Sequence, residues 1–237
     1  MAVDRWRFGP VGAARIAVVS QRLPGPDAAR IAATVPGADE LVEVPAGTRV
    51  LRIHPLAGAH PCAWNDSRFY GPTSARFDHH PPPPHTHPTR SVIYGALGDE
   101  AFTAAIAEFF QDDAGTVGPI DRVLRAPAAT AFTLAAPIRV LDLRTGWVTR
   151  AGGNQAIMSG SRSRARDWAR AIYRSHTDVQ GLMYASSVWG PGLCVAIWDR
   201  GAAGIPAAND LHRSLVDPVM DGPLAVAAGR LGTVLVP

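Results

Sequence analysis

The sequence contains no lysine: all 23 of its basic side chains are arginine. This excludes a phosphate-cradling loop that ends in Lys-Ser or Lys-Thr. No GxGxxG follows a strand and there is no GxSxG elbow, so a Rossmann dinucleotide site and an α/β-hydrolase nucleophile are excluded as well. Only two cysteines occur, Cys62 and Cys194, far apart in the chain. Without a secretory leader they read as reduced thiols rather than a disulfide framework. Charge is sparse, at 18% of residues, and the formal net charge is only +3. That balance points away from nucleic acid as a partner. The one early apolar run, Ala13 to Val19, is short and interrupted, which fits neither a signal peptide nor a membrane span. A cytoplasmic protein with no membrane partner is expected. No internal repeat of any period is present.

What is there is globular: 47% of the 237 residues are hydrophobic. A chain of this length buries roughly 70–75% of the surface its unfolded form exposes, so it folds without a staple. One compact domain is expected, with residues 1–47 as an N-terminal extension packed on a core of residues 48–237. A short helix is predicted over 25–35, with Asp27 at its start. Residues 48–54 alternate, which predicts a strand carrying Arg52. That arginine either faces solvent from an edge strand or is aimed into a cleft to hold an anion. Residues 91–97 read as a buried strand, and Gly98-Asp99 as a turn with Asp99 the N-cap of the next helix. In that helix Phe102, Ile106, Phe109 and Phe110 form an apolar stripe, and Glu108 falls nearly opposite its centre. Further strands are expected at 138–143, 182–184 and 193–198, the last two as a hairpin-like unit around a serine loop. A helix is predicted within 151–175, with arginines 162, 164, 166, 170 and 174 as a solvated face. The tail alternates loops, with a last edge strand over 231–236.

The stretch from Arg68 to Phe110 gathers the residue types that chemistry needs. Arginine suits phosphate through its planar fork, tyrosine offers a ring to stack on, and glutamate stabilises developing positive charge. Between them lies a segment rich in proline and histidine, with Asp78, His79, His80, His85 and His87. It is a candidate metal loop for a hydrolase. However, prolines 81–84 hold it extended and no helical HxxxH or cysteine pair accompanies it, so it reads as an exposed spacer and no metal is expected.

Five local patterns, in order, resemble the RES-domain family. They are RVLRIHP, SARFDHHPP, VIYGAL, AFTAAIAE and GLMYASS, spanning roughly residues 48 to 200. The sequence departs from the family at Ala75, where glycine is usual, and at Ser187-Val188-Trp189, where many relatives place an arginine. The resemblance implies an α+β, ADP-ribosyltransferase-like fold, with two small, mainly antiparallel sheets around a cleft and flanking helices. It implies a toxin of a bacterial toxin–antitoxin pair that degrades NAD+ at the nicotinamide–ribose bond. The acceptor is water or inorganic phosphate, no resident cofactor is needed, and the partner is a cognate antitoxin. The family's residues carry over to Glu108, Arg76 and Ser186 for catalysis, and to Arg52, Tyr94 and Ser187 for binding NAD+. A catalytically silent module that binds a nucleotide or a partner protein is the alternative.

Overall fold

The computed structural model describes residues 22–112 and 115–236, so the apolar run Ala13 to Val19 lies outside the described residues. The chain opens with α1 (Ala28–Ala33), β1 (Leu41–Val44) and β2 (Arg49–Pro55). A short ribbon, β3 (Tyr70–Gly71) with β4 (His85–Thr86), precedes β5 (Val92–Leu97) and α2 (Ala101–Phe109). Then come β6 (Ile120–Asp121), β7 (Pro127–Thr133), β8 (Ile138–Asp142), α3 (Trp147–Arg150), α4 (Ala156–Ser159) and α5 (Arg162–Ser175). The chain ends with β9 (Gly181–Ala185), β10 (Leu193–Trp198), β11 (Leu211–Ser214), α6 (Asp221–Leu231) and β12 (Leu235–Val236).

The two small sheets expected are replaced by one eight-stranded sheet, ordered β1-β8-β9-β10-β5-β2-β7-β11, with two accessory two-stranded ribbons. Every neighbouring pair in the large sheet is antiparallel except β8–β9. Residues 28–44 supply α1 and the edge strand β1, whose Leu41 lies opposite Leu141. The sheet is continuous because β2 meets β5, but the seam is short. Only Val50–Leu97 and Leu51–Ala96 are paired, and the two strands part beyond them. Gly95 permits this approach: a Cβ there would lie 2.4 Å from Val50 Cγ1. The gap opened by the parting strands positions the cleft.

Side chains alternate across the sheet with the period of two that strands impose. Leu182, Tyr184, Cys194, Ala196 and Trp198 face one side and pack with Trp147, Trp168 and Ile172 beneath the helices. Met183, Val195, Ile197, Val50 and Phe132 face the other, covered in part by Trp64 and Ile205. A third cluster joins Ile106 of α2 to Leu224 and Ala227 of α6.

Local expectations hold in several elements. Asp27 caps α1, accepting from the backbone N–H groups of Ala29 and Arg30 at 3.0 and 3.1 Å. β9 and β10 pair as a hairpin around the serine loop. Other expectations are corrected. The N-cap of α2 is Glu100, whose side chain makes no capping bond, rather than Asp99. The helix within 151–175 breaks at Gly160, which is extended, leaving α4 and α5 separate. Residues 221–231 are helical, in a tail expected to alternate loops. Pro223 sits in the first turn, where its missing N–H costs nothing, and Gly232 closes the helix at φ 65°. β12 is two residues long and pairs in parallel with β6. The histidine segment is an exposed spacer only in its middle: residues 82–86 are exposed, whereas Asp78, His79 and His80 are fully buried and His87 nearly so. No helix among the described residues is long and apolar enough to cross a membrane.

Candidate functional site

A cavity of about 370 Å³ opens where β2 and β5 part, walled by α2 and by the loop that follows β3. Arg76, Tyr94 and Glu108 line it together with Ile53, Gly95 and Tyr184. Glu108 projects from the end of α2, the turn left clear of the apolar stripe. Its Oε1 accepts from Ser186 Oγ at 2.6 Å and from the Ser187 backbone N–H at 3.2 Å. Oε2 has no hydrogen bond among the described residues, so one carboxylate oxygen is anchored and the other is presented to the cavity.

The serine loop reaches Glu108 because Gly192 lets it close on α2. A Cβ at that position would lie 2.5 Å from the Ala104 Cβ. Within the loop, Ser186 N–H donates to the Gly192 carbonyl, and Ser186 Oγ accepts from the N–H groups of Val188 and Trp189. With its acceptor sites taken and its proton given to Glu108, Ser186 is a positioning group for the carboxylate. Ser187 contributes its N–H to Glu108, while its Oγ accepts from Gln111 Nε2 at 2.8 Å.

Arg76 is 9% exposed. Its Nη1 donates to the carbonyls of Gly160 at 2.8 Å and Ile157 at 3.4 Å, using the helix break described above. Burial lowers its pKa from the ordinary arginine value, and the negative charge of Glu108 opposes that shift. The loop that carries it is built around Asp78, which accepts from Arg68, from Thr73 twice, and from His80 at 2.5 Å. Burial works to raise the Asp78 pKa; the bonds from His80 and Thr73 and the Arg68 charge outweigh it and hold the carboxyl well below the usual range. The next residue back, Phe77, is fully buried against the Tyr184 ring and adopts φ 63°. A bulky side chain in the left-handed region is strained, and such strain gathers where a loop must aim a neighbour. Tyr94 donates its hydroxyl to the Arg76 carbonyl at 3.2 Å, and burial pushes its phenol above the ordinary value. The hydroxyl is thereby committed, and the ring is what remains to meet a ligand.

Arg52 does not join this group through its guanidinium. β2 lies inside the sheet, flanked by β5 and β7, so the edge-strand alternative is excluded. Arg52 touches the cavity where the strands part, yet its Nη1 donates to the carbonyls of Trp64 at 2.7 Å and Asp66 at 3.3 Å. Alternation explains this: Leu51 and Ile53 face the cleft side, and Val50, Arg52 and His54 face the other.

Three lining residues had no sequence signal: Gln111, Arg125 and Arg162. Gln111 ties the serine loop to α5, since Arg162 donates to its Oε1. Arg162, expected on a solvated face, also donates to the Asp112 carbonyl at 3.2 Å and lines the cavity; Arg164 and Arg174 are exposed as expected. A second hollow of about 350 Å³ continues past Arg76 and Arg162 to Ser161, Ser163 and Arg166. Among the described residues no three histidine, cysteine, aspartate or glutamate side chains converge as metal ligands. His80 is closed between Asp78 and the Arg90 carbonyl, and His79 bonds Asp199 at 3.2 Å.

No protein-family model matches this sequence, and no curated protein matches it. Among solved structures, the chain is similar to a chain of the M. tuberculosis MbcT–MbcA toxin–antitoxin complex. The two are 18% identical, with a TM-score of 0.52, over 87% of this chain and 97% of that one. At that identity the likeness is one of fold, an α+β arrangement of a large, mainly antiparallel sheet with helices.

Proposed function

We propose that the cleft binds NAD+ and cleaves its nicotinamide–ribose bond, and that the protein is the toxin of a toxin–antitoxin pair. The observation that carries this is the Glu108–Ser186 pair at the parting of β2 and β5, with Arg76 across the same cavity. It has the residue types and the order of the RES-like patterns, on a fold similar to that of a chain from a toxin–antitoxin complex. On this reading the fold is ADP-ribosyltransferase-like, its cleft opened by a split within one sheet.

In the reaction the bond between ribose C1′ and the nicotinamide nitrogen breaks. Its electron pair goes to the pyridinium nitrogen, and nicotinamide leaves neutral. Positive charge develops on C1′ and the ring oxygen, and an anionic carboxylate beside the ribose stabilises it. Glu108 does this with Oε2 while Ser186 and the Ser187 N–H hold Oε1 still. A preoriented group needs no reorganisation as the charge appears. Arg76, kept charged by its carbonyl partners and by Glu108, faces the diphosphate. The Tyr94 ring packs against the nicotinamide or ribose. Water or inorganic phosphate attacks C1′ and gives up its proton. No resident cofactor takes part, and the setting is the cytoplasm, where a cognate antitoxin restrains the activity.

The test is incubation of purified protein with NAD+, with and without inorganic phosphate, and identification of the products. Nicotinamide with ADP-ribose means water is the acceptor; nicotinamide with phosphorylated ADP-ribose means phosphate is. If NAD+ binds and stays intact, the enzymatic reading fails, and a nucleotide-binding module remains.

A further inference from the structure

The geometry points to Arg125 as the arginine that grips a phosphate group of the ligand at the outer wall of the cavity, with the Phe109 ring as its platform. This rests on reading the cleft as a nucleotide site. Four arginines line the cavity, and they differ in what holds their guanidinium groups. Arg76 is buried and bonded to two carbonyls; Arg162 is bonded to Gln111 and to the Asp112 carbonyl. Arg125 is exposed, and among the described residues its side chain makes no hydrogen bond and no ion pair. Its one side-chain partner is a ring: the guanidinium carbon lies 4.5 Å from the centroid of Phe109, the residue after Glu108.

A guanidinium held over a ring by cation–π attraction is fixed in orientation by an apolar group. Its N–H donors lie in its own plane and stay open at the edge, which suits bidentate binding of a phosphoryl group. The backbone is built to hold it there at some cost. Arg125 and Ala126 adopt φ 66° and 46°, two successive left-handed residues without a glycine. Single residues visit this region only when their surroundings enforce it. Here Asp121 Oδ1 accepts from the N–H groups of Val123 and Leu124 at 2.9 and 2.8 Å. The far side of the turn is pinned to the end of β2, where the Leu56 and Ala57 N–H groups donate to the Ala126 and Arg125 carbonyls at 3.1 and 3.0 Å. Gly58 clears the space for the stem: a Cβ there would lie 3.2 Å from Arg125 Cγ. A strained, doubly pinned turn that delivers an unpaired cation to a cleft is a binding device. Arg52, the other arginine expected to hold the anion, has spent its donors on carbonyls on the far side of the sheet.

The experiment is calorimetric titration of the full chain with ADP-ribose and, separately, with inorganic pyrophosphate, at low salt. Wild type is compared with Arg125→Gln, Arg125→Lys and a charge control, Arg164→Gln, from the exposed face of α5. Arg125→Gln is expected to weaken both probes by about tenfold or more, with an unchanged melting temperature. Arg125→Lys keeps the charge but loses the fork, and falls between. Arg164→Gln binds as wild type. The proposal is overturned if Arg125→Gln binds as tightly as wild type, if Arg164→Gln loses as much, or if wild type binds neither probe. These outcomes are separate from the fate of the NAD+ reaction. A wild type that binds both probes and leaves NAD+ intact refutes that reaction while Arg125 stands. Normal turnover with unchanged KM in Arg125→Gln refutes Arg125 alone.

Discussion

The two faces of the sheet at β2 hold similar residues and treat them oppositely. On the far face, Arg52 is bound by two carbonyls and lies 3.6 Å from Cys62 Sγ. Beside it, His54 is closed between the Cys62 carbonyl and Thr130 Oγ1, and Thr130 in turn meets His212 Nδ1 at 2.8 Å. On the near face, Glu108 keeps one oxygen open and Arg125 keeps all its donors open. Buried polar groups that satisfy one another specify structure. Half-covered groups with spare donors and acceptors are set to receive something else. Hydrogen-bond completeness separates Arg52 from Arg125, and Arg76, bonded through Nη1 alone, lies between them.

This contrast can be broken by experiment. The largest effect is expected at Glu108: Glu108→Gln should lower the rate of NAD+ consumption by about a thousandfold, while the denaturation midpoint stays near that of wild type. A variant that turns over normally, or that simply unfolds, would place Glu108 among the structural groups. Arg52→Met should do the converse. Removing the guanidinium strands the Trp64 and Asp66 carbonyls, at about 2 kcal/mol of stability, and leaves KM alone. A rise in KM without loss of stability would move Arg52 to the binding side and erase the contrast. The smallest effect is in pH. Burial, then the charge of Arg52, lowers the His54 pKa from 6.5 to about 4. The unfolded chain therefore binds a proton in that window that the folded chain refuses. Stability from this group is complete above pH 6.5 and declines as the pH falls towards 4, by about 0.7 kcal/mol between pH 7 and pH 6. His54→Gln should flatten that slope in urea titrations, whereas Glu108→Gln should leave it in place.

Much of the local structure was legible in the sequence. The alternation of 48–54, the apolar run of 91–97 and the pair of strands around Ser186 all appear as read, and Glu108 does lie clear of its helix's stripe. The structure brings Arg76, Tyr94 and Glu108 together around one cavity and bonds Ser186 to Glu108, although the four are scattered over more than a hundred residues. What was not legible has physical causes. Alternation tells that Arg52 and Leu51 face opposite ways, but not which side carries the cleft. His79 and His80 are buried beside an exposed polyproline run because Asp199 holds the first and Asp78 the second, partners that local composition does not reveal. The continuous sheet depends on a two-residue seam, below the reach of any periodicity. Arg125 owes its place to two left-handed residues that no turn propensity favours.

The parallel pair β8–β9 has a consequence in time. Antiparallel neighbours such as β9 and β10 close through a short loop, but β8 and β9 are joined only after the chain has crossed over through α3, α4 and α5. That crossover supplies the carbonyls of Ile157 and Gly160 that seat Arg76, and it brings Arg162 to the cavity wall. The cleft also needs contacts between still more distant residues, Arg76 with Gly160 and Glu108 with Ser186, and non-local contacts are made late because loop closure precedes any return from them. A newly made chain is therefore expected to hold most of its strands before it holds a working cleft. In refolding, far-ultraviolet circular dichroism should recover ahead of ADP-ribose binding; simultaneous recovery of the two signals would contradict this order. Between the two stages lies an interval in which the sheet is already formed and the cleft is not yet able to bind.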